Sequence, residues 1–190
     1  GIDYKEVEFI DLKSEFDPRR RPIYYKPSAR LTHKNKAESW PILVRGLDDS
    51  LDKYPTQKVL IHTVSGDLAR FIYENSRNKQ RMIVYGNGVR REDALRAFTQ
   101  SGDAKVLVAQ SMERGIDLPN DLCRVILVAK VPYLNLGDKQ VSKRVYASKD
   151  GNNWYAVQTW RKLIQGTGRG MRHAQDWSIV EIHDEEFENL

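Results

Sequence analysis

Between residues 58 and 132, short runs of valine, isoleucine and leucine alternate with polar turns and helix-period stretches, and few folds accept that rhythm. Lys58-Val59-Leu60-Ile61-His62-Thr63 is an apolar run; Ser65 follows where an N-cap belongs, and Leu68, Ala69, Phe71 and Ile72 recur with helical period. The pattern repeats with Met82 to Tyr85 as a strand, Gly86-Asn87-Gly88 as a turn, and an amphipathic helix from Glu92 to Phe98. Lys105 to Ala109 and Val125 to Val131 are two further strands, the second ended by Pro132. A strand wet on one face alternates apolar with polar residues. These strands are apolar throughout, which predicts an α/β fold with a parallel sheet covered on both faces.

Ligands of such sheets gather beyond the carboxyl ends of the strands. His62-Thr63-Val64-Ser65 offers hydroxyls and the amides of a helix N-terminus there, a cradle for phosphate oxygens. His62 itself reads equally well as a structural histidine. After the third strong strand, Gln110 and Ser111 are candidate strand contacts, Gly115 allows close backbone approach, and Asp117 could accept a hydrogen bond from a ribose hydroxyl or cap its own turn. Gly86-x-Gly88 lacks the last glycine of a dinucleotide fingerprint and reads as a turn.

Before this core, residues 1 to 57 form an arm and a first helix. Val7 to Ile10 alternates like a short strand, Pro18 and Pro22 bracket Arg19-Arg20-Arg21, and Ile23 to Tyr25 is extended. The arginines suit a phosphate backbone or a solvated loop. Trp40, Ile42-Leu43, Leu47 and Leu51 mark a packing helix that starts at Pro41 or is kinked by it. After the core, Gln165-Gly166-Thr167-Gly168-Arg169-Gly170-Met171-Arg172 carries glycines that each weaken a helix by about 1 kcal/mol relative to alanine. Close approach to a bound group would repay them. A helical turn would set Arg169 and Arg172 on one face, where two forked cations suit a polyphosphate; a basic surface loop is the alternative.

Thirty-one Lys and Arg against 26 Asp and Glu give a net charge of +5, compatible with an anionic partner or a basic solvated surface. The lone Cys123 excludes an internal disulfide or a cysteine-based metal site, and reads as a small buried hydrophobe. No run approaches the roughly 20 apolar residues that span a bilayer, and no leader opens the sequence, so the expectation is a cytoplasmic chain without membrane or metal partners.

Taken together, Val106 to Pro119, the strand ending at Pro132, and Gln165 to Arg172 resemble motifs V and VI of a superfamily-two helicase, with His62 to Ser65 at motif IV. The Gln-x-x-Gly-Arg-x-x-Arg string, the insertion from 133 to 164 and the closing Asp176-x-x-Ile179-Val180-x-Ile182-x-Asp184 resemble the second RecA-like motor domain of the XPD/DinG branch. The resemblance implies a single domain over 1–190: a RecA-like parallel sheet sandwiched by helices, of the P-loop NTPase type. It has no P-loop of its own, since no Gly-x-x-x-x-Gly-Lys occurs. Arg169 and Arg172 would then act as arginine fingers and Gln165 would place the attacking water. Gly115, Asp117 and Gly168 would face ATP, whose Mg2+ is held by the N-terminal helicase domain of the same polypeptide. Thr63, Ser65, Gln110, Ser111, Lys139, Lys143 and Arg144 would meet single-stranded DNA. Arg114-Gly115-Ile116-Asp117 stands where the branch usually has Glu-Gly-Ile-Asp and is closer to RNA helicases, which keeps RNA beside DNA. The chain alone would not turn over ATP. A RecA-like scaffold that only binds is the competing reading.

The insertion interleaves Lys139, Lys143, Arg144 and Lys149 with Tyr146, Trp154 and Tyr155, a composition suited to stacked bases and backbone phosphates. Trp154, Val157, Trp160 and Leu163/Ile164 have the spacing of a helix's buried face.

Overall fold

The computed structural model describes residues 7, 8, 10–12, 14, 16–86, 89–110, 118–147 and 149–190. Readings placed on Ser111, Gly115, Asp117, Asn87 and Gly88 lie outside them. Six parallel strands form one sheet: β1 (Ile23–Ala29), β2 (Val59–His62), β3 (Met82–Val84), β4 (Val106–Ala109), β5 (Val125–Val128) and β6 (Ile179–Asp184), in spatial order β1-β6-β5-β2-β4-β3. The helices are α1 (Lys36–Leu51), α2 (Gly66–Asn75), α3 (Arg91–Gln100), α4 (Lys139–Ala147) and α5 (Gly151–Thr167).

Successive side chains of a strand point to opposite faces, and here both faces are roofed. Val59 and Ile61, Val106 and Val108, and Val125 and Leu127 pack under Leu43, Leu47 and Leu51 of α1 and Leu68 and Ile72 of α2. Leu60, Leu107, Ile126, Val128, Val180 and Ile182 meet Ala94 and Phe98 of α3 and Leu163 of α5. Each fully buried leucine or isoleucine contributes about 1.5–3 kcal/mol, so the continuous apolar runs are what a two-sided sheet requires.

β6 interrupts its apolar pattern with Glu181, fully buried on the α1 side. Lys26 Nζ at 2.5 Å, Ser50 Oγ at 2.6 Å and Tyr54 Oη at 2.7 Å donate to its carboxylate. Burial alone would raise its pKa, but these donors together with His183 hold it well below the usual carboxylate range. The cluster fastens edge strand β1 and helix α1 to β6.

Several expectations change. Val7, Glu8 and Ile10 form no strand; among the described residues the first strand is Ile23–Ala29. Helix α1 begins at Lys36, with Pro41 inside it, where the ring forgoes the bond that an N–H would make to the Ala37 carbonyl. β5 stops at Val128: the Ala129 amide makes the last ladder bond to the His62 carbonyl at 2.9 Å, the Lys130 amide crowds onto that same carbonyl at 3.3 Å, and the Val131 amide is taken by Asp184 Oδ2 at 2.9 Å. On α5 the buried residues are Gly151, Thr159, Leu163 and Gly166. Of the expected stripe Leu163 is buried and Trp154 half-buried, whereas Val157, Trp160 and Ile164 are 50%, 37% and 60% exposed. The helix comes closest to the sheet at its last turn: Gly166 sits against the His62 ring, where an added Cβ would come within 3.2 Å of Nε2. Trp160 instead meets Phe187 edge-on at 5.6 Å.

Candidate functional site

The parallel register brings the carboxyl ends of three strands level, with His62 opposite both Ala109 and Val128. The loops beyond them and the last turns of α5 enclose a pocket lined by His62, Gln110, Lys130, Lys162, Gly166 and Thr167, among others. Motif IV, the start of motif V and the first part of motif VI, at Gly166 and Thr167, thus share one edge. Lys130 and Lys162 escaped the sequence reading. Their signals were position: Lys130 follows the end of a strand, and Lys162 stands one helical turn before Gly166. The Lys130 ammonium turns to the Leu31 carbonyl at 2.8 Å, and burial lowers its pKa.

The loop after β2 does two things at once. Thr63 is fully buried and its hydroxyl donates to the carbonyls of Ser65 (3.1 Å) and Ala109 (3.3 Å), so it shapes the loop from within rather than facing a strand. Ser65 Oγ accepts from the Leu68 amide at 3.3 Å as the N-cap of α2. Between them Val64 has φ of +66°. A β-branched residue in the left-handed region is strained, and such strain concentrates where a loop is held for a task. Gln110 is exposed beside the α2 N-terminus, 2.9 Å from where a Cβ on Gly66 would stand.

Motif VI does not continue as a helix. α5 ends at Thr167, Gly168–Gly170 is a 3-10 turn, and Met171 is extended. Arg169 therefore sits in the turn, partly buried, and Arg172 lies exposed in the chain beyond it. They do not share a helical face, because the glycines end the helix before the first arginine. Gln165 is exposed on the last turn of α5. An added Cβ at Gly168 meets nothing within 4 Å, so its backbone is open to an approaching group. His62 Nε2 donates to the Gly166 carbonyl at 3.3 Å. Burial first and the Arg169 charge second push its pKa down to about 4, against the pull of that hydrogen bond, and keep the ring neutral.

On α4, Lys139 and Lys143 are exposed, and their spacing places them on one face with Tyr146, itself 72% exposed. Arg144 is exposed too, but its guanidinium lies 4.5 Å from the centre of the Trp154 ring. Cys123 is fully buried, and its thiol is pushed up to about 12 by that burial. Among the described residues no group of three or more His, Cys, Asp or Glu could hold a metal ion, and no helix is long and apolar enough to cross a membrane.

A six-stranded parallel sheet roofed by helices, with its loops converging on one carboxyl edge, defines a RecA-like α/β domain. Residues 49–189 match the helicase C-terminal domain family, and the chain belongs to that family. It is 30% identical over 109 residues to the Fanconi anemia group J protein homolog of Gallus gallus, a match covering 51% of this chain and 9% of that protein. It is 22% identical over 201 residues to the regulator of telomere elongation helicase 1 homolog of Anopheles gambiae, covering 95% of this chain and 19% of that one. An ATP-dependent DNA helicase CHL1 from Meyerozyma guilliermondii is 24% identical over 155 residues, covering 71% of this chain and 18% of that one. The chain thus spans less than a fifth of the length of these relatives. In fold it is similar to S. tokodaii Xpd4, with a TM-score of 0.67 at 19% identity, 90% of this chain and 35% of that one being covered. A structure titled XPD helicase gives a TM-score of 0.70 at 18% identity, covering 88% of this chain and 32% of that one.

Proposed function

We propose that this chain is the second motor domain of an ATP-dependent DNA helicase, completing a nucleotide site whose other half belongs to a first motor domain of the same polypeptide. The observation that carries the reading is the arginine turn: Gly168–Gly170 follows directly on the last turn of α5, whose Gly166 and Thr167 line the pocket with His62 and Gln110 at the carboxyl ends of β2 and β4, where ligands of parallel sheets bind. Membership of the helicase family and the DNA-helicase names of relatives support it. In this reading Arg169 and Arg172 stabilise charge on the transferred phosphoryl group and Gln165 orients the attacking water. The open backbone of Gly168 suits a phosphate; Gly115 and Asp117, which lie outside the described residues, keep the nucleotide role that the family resemblance implies. In this reading the cofactor is ATP with Mg2+, the ion being held by the first motor domain. Ser65, Gln110, Ser111, Lys139 and Lys143 meet the single strand through donors and charge. Thr63 contributes by shaping the loop, and Arg144 through its stack on Trp154. The setting is intracellular, where ATP and nucleic acid are found.

The test is ATPase turnover of this chain joined in one polypeptide to the first motor domain, with and without single-stranded DNA or RNA. Arg169→Ala should lower stimulated turnover roughly a thousandfold while ATP still binds. Better stimulation by RNA would reassign the strand, and turnover indifferent to Arg169 would leave a binding scaffold.

A further inference from the structure

We infer that Arg124 and Asp176 are positioning residues for the arginine turn, a buried ion pair whose task is to fix where Arg172 is presented. The inference rests on the motor reading above. Asp176 is 1% exposed and Arg124 is 7% exposed. Asp176 divides its carboxylate: Oδ1 accepts from Arg124 Nη1 at 2.5 Å and from the Trp177 amide at 3.0 Å, while Oδ2 accepts from the Arg172 amide at 3.1 Å. The backbone at Arg172 is thus tied to the start of β5 through one carboxylate. Arg124 is itself held from every side: it donates to the Trp177 carbonyl at 2.8 Å and to Asp121 at 2.9 Å, and its guanidinium lies 4.8 Å from the centre of the Trp177 ring.

Other contacts pin the same loop to the same base. Gly170 packs so tightly that an added Cβ would stand 2.6 Å from the Cys123 carbonyl oxygen and 2.5 Å from Ser178 Cβ. His173 Nε2 pairs with Asn120 at 2.9 Å, and Arg20 donates to the Gln175 carbonyl at 2.8 Å. Stability alone does not explain a charged pair here. Desolvation offsets most of a buried pair's attraction, and well-packed apolar residues of similar volume commonly serve as well or better. An apolar pair cannot, however, accept the Arg172 amide or set the loop's register. What Asp176 and Arg124 add over leucine and methionine is direction, at a residue whose reach decides turnover.

The experiment compares four variants of the two-motor polypeptide: Arg172→Ala, Asp176→Asn, Arg124→Lys, and the apolar double replacement Arg124→Met with Asp176→Leu. We expect the double variant to melt near the parent, to bind ATP with KM unchanged within about twofold, and to lose kcat by about 10- to 100-fold, the range for a catalytic group displaced by about an ångström. Asp176→Asn and Arg124→Lys, which keep polar atoms in place and guard against a double variant that fails to fold, should show the same split between kcat and KM to a smaller degree. Parent-like kcat in folded double and single variants, with Arg172→Ala impaired, overturns the positioning role and leaves the motor reading standing. Parent-like kcat in Arg172→Ala overturns the positioning role by another route, since that arginine then needs no placing, while the motor reading still stands or falls with Arg169→Ala.

Discussion

Replacing His62 by glutamine should flatten one segment of this protein's pH–stability curve. The ring's ordinary pKa of 6.5 falls to about 4 in the folded chain, chiefly through burial, with the Arg169 charge adding to it. The unfolded chain therefore binds a proton that the folded chain refuses between those two values. Stability rises with pH across that window, is complete above about pH 7, and is lost as pH falls toward 4. At 1.36 kcal/mol per unit the displacement amounts to about 3 kcal/mol. Glutamine can still donate to the Gly166 carbonyl but does not titrate, and carboxylates such as Glu181 act in both proteins and cancel in the difference. Urea unfolding from pH 4 to pH 7.5 is the assay, reading the difference in unfolding free energy between parent and His62→Gln. That difference should shift by about 3 kcal/mol in favour of the parent as pH rises. Parallel curves would show that His62 titrates alike in both states and that its ring is not enclosed against α5.

Two further outcomes follow from backbone geometry. Gly170→Ala places a Cβ 2.6 Å from the Cys123 carbonyl oxygen, an atom that cannot move aside without β5, so it should destabilise by about 1–3 kcal/mol in chemical denaturation; parent-like stability would mean that the turn does not rest on residue 123. Val64→Gly removes a side chain from φ +66°, relieving about 1–2 kcal/mol of strain against about 0.5–1 kcal/mol of added chain entropy, so the variant should be slightly more stable, and a loss of stability would show that the loop is not strained.

How much of this was legible in the sequence depended on whether the signal was periodic or local. The strands at 58–63, 82–85 and 105–109 declared themselves because a sheet covered on both faces needs apolar residues on both, and the structure places them within a residue or two. Ser65 was legible as a cap for the same local reason. Helix α5 was legible only in part, because its bulky stripe and its small one both repeat with helical period, and the buried face takes Leu163 from the first and Thr159 and Gly166 from the second. Arg124 carried no pattern: its partner Asp176 is 52 residues away, and only folding sets them side by side. Thr63 and Ser65 show the limit most clearly. Both are hydroxyls in one short loop, yet the ladder to Ala109 claims the first for the interior.

The glycines of motif VI reward the same care. Read in sequence, all three suggested a backbone yielding to a ligand. In the structure two yield to the protein itself: Gly166 makes room for the His62 ring, and Gly170 lies against Cys123 and Ser178. Gly168 alone faces open space. In the proposed function the ligand-facing part of the motif then contracts to Gln165, Gly168, Arg169 and Arg172, while the flanking glycines let α5 and the loop beyond it press onto the sheet. An arginine can deliver charge to a developing transition state only if its backbone holds still while the side chain extends. Close packing at Gly166 and Gly170 supplies that fixed base on either side of Arg169, which is why alanine at position 170 should disturb the turn through its foundations rather than through any contact with nucleotide.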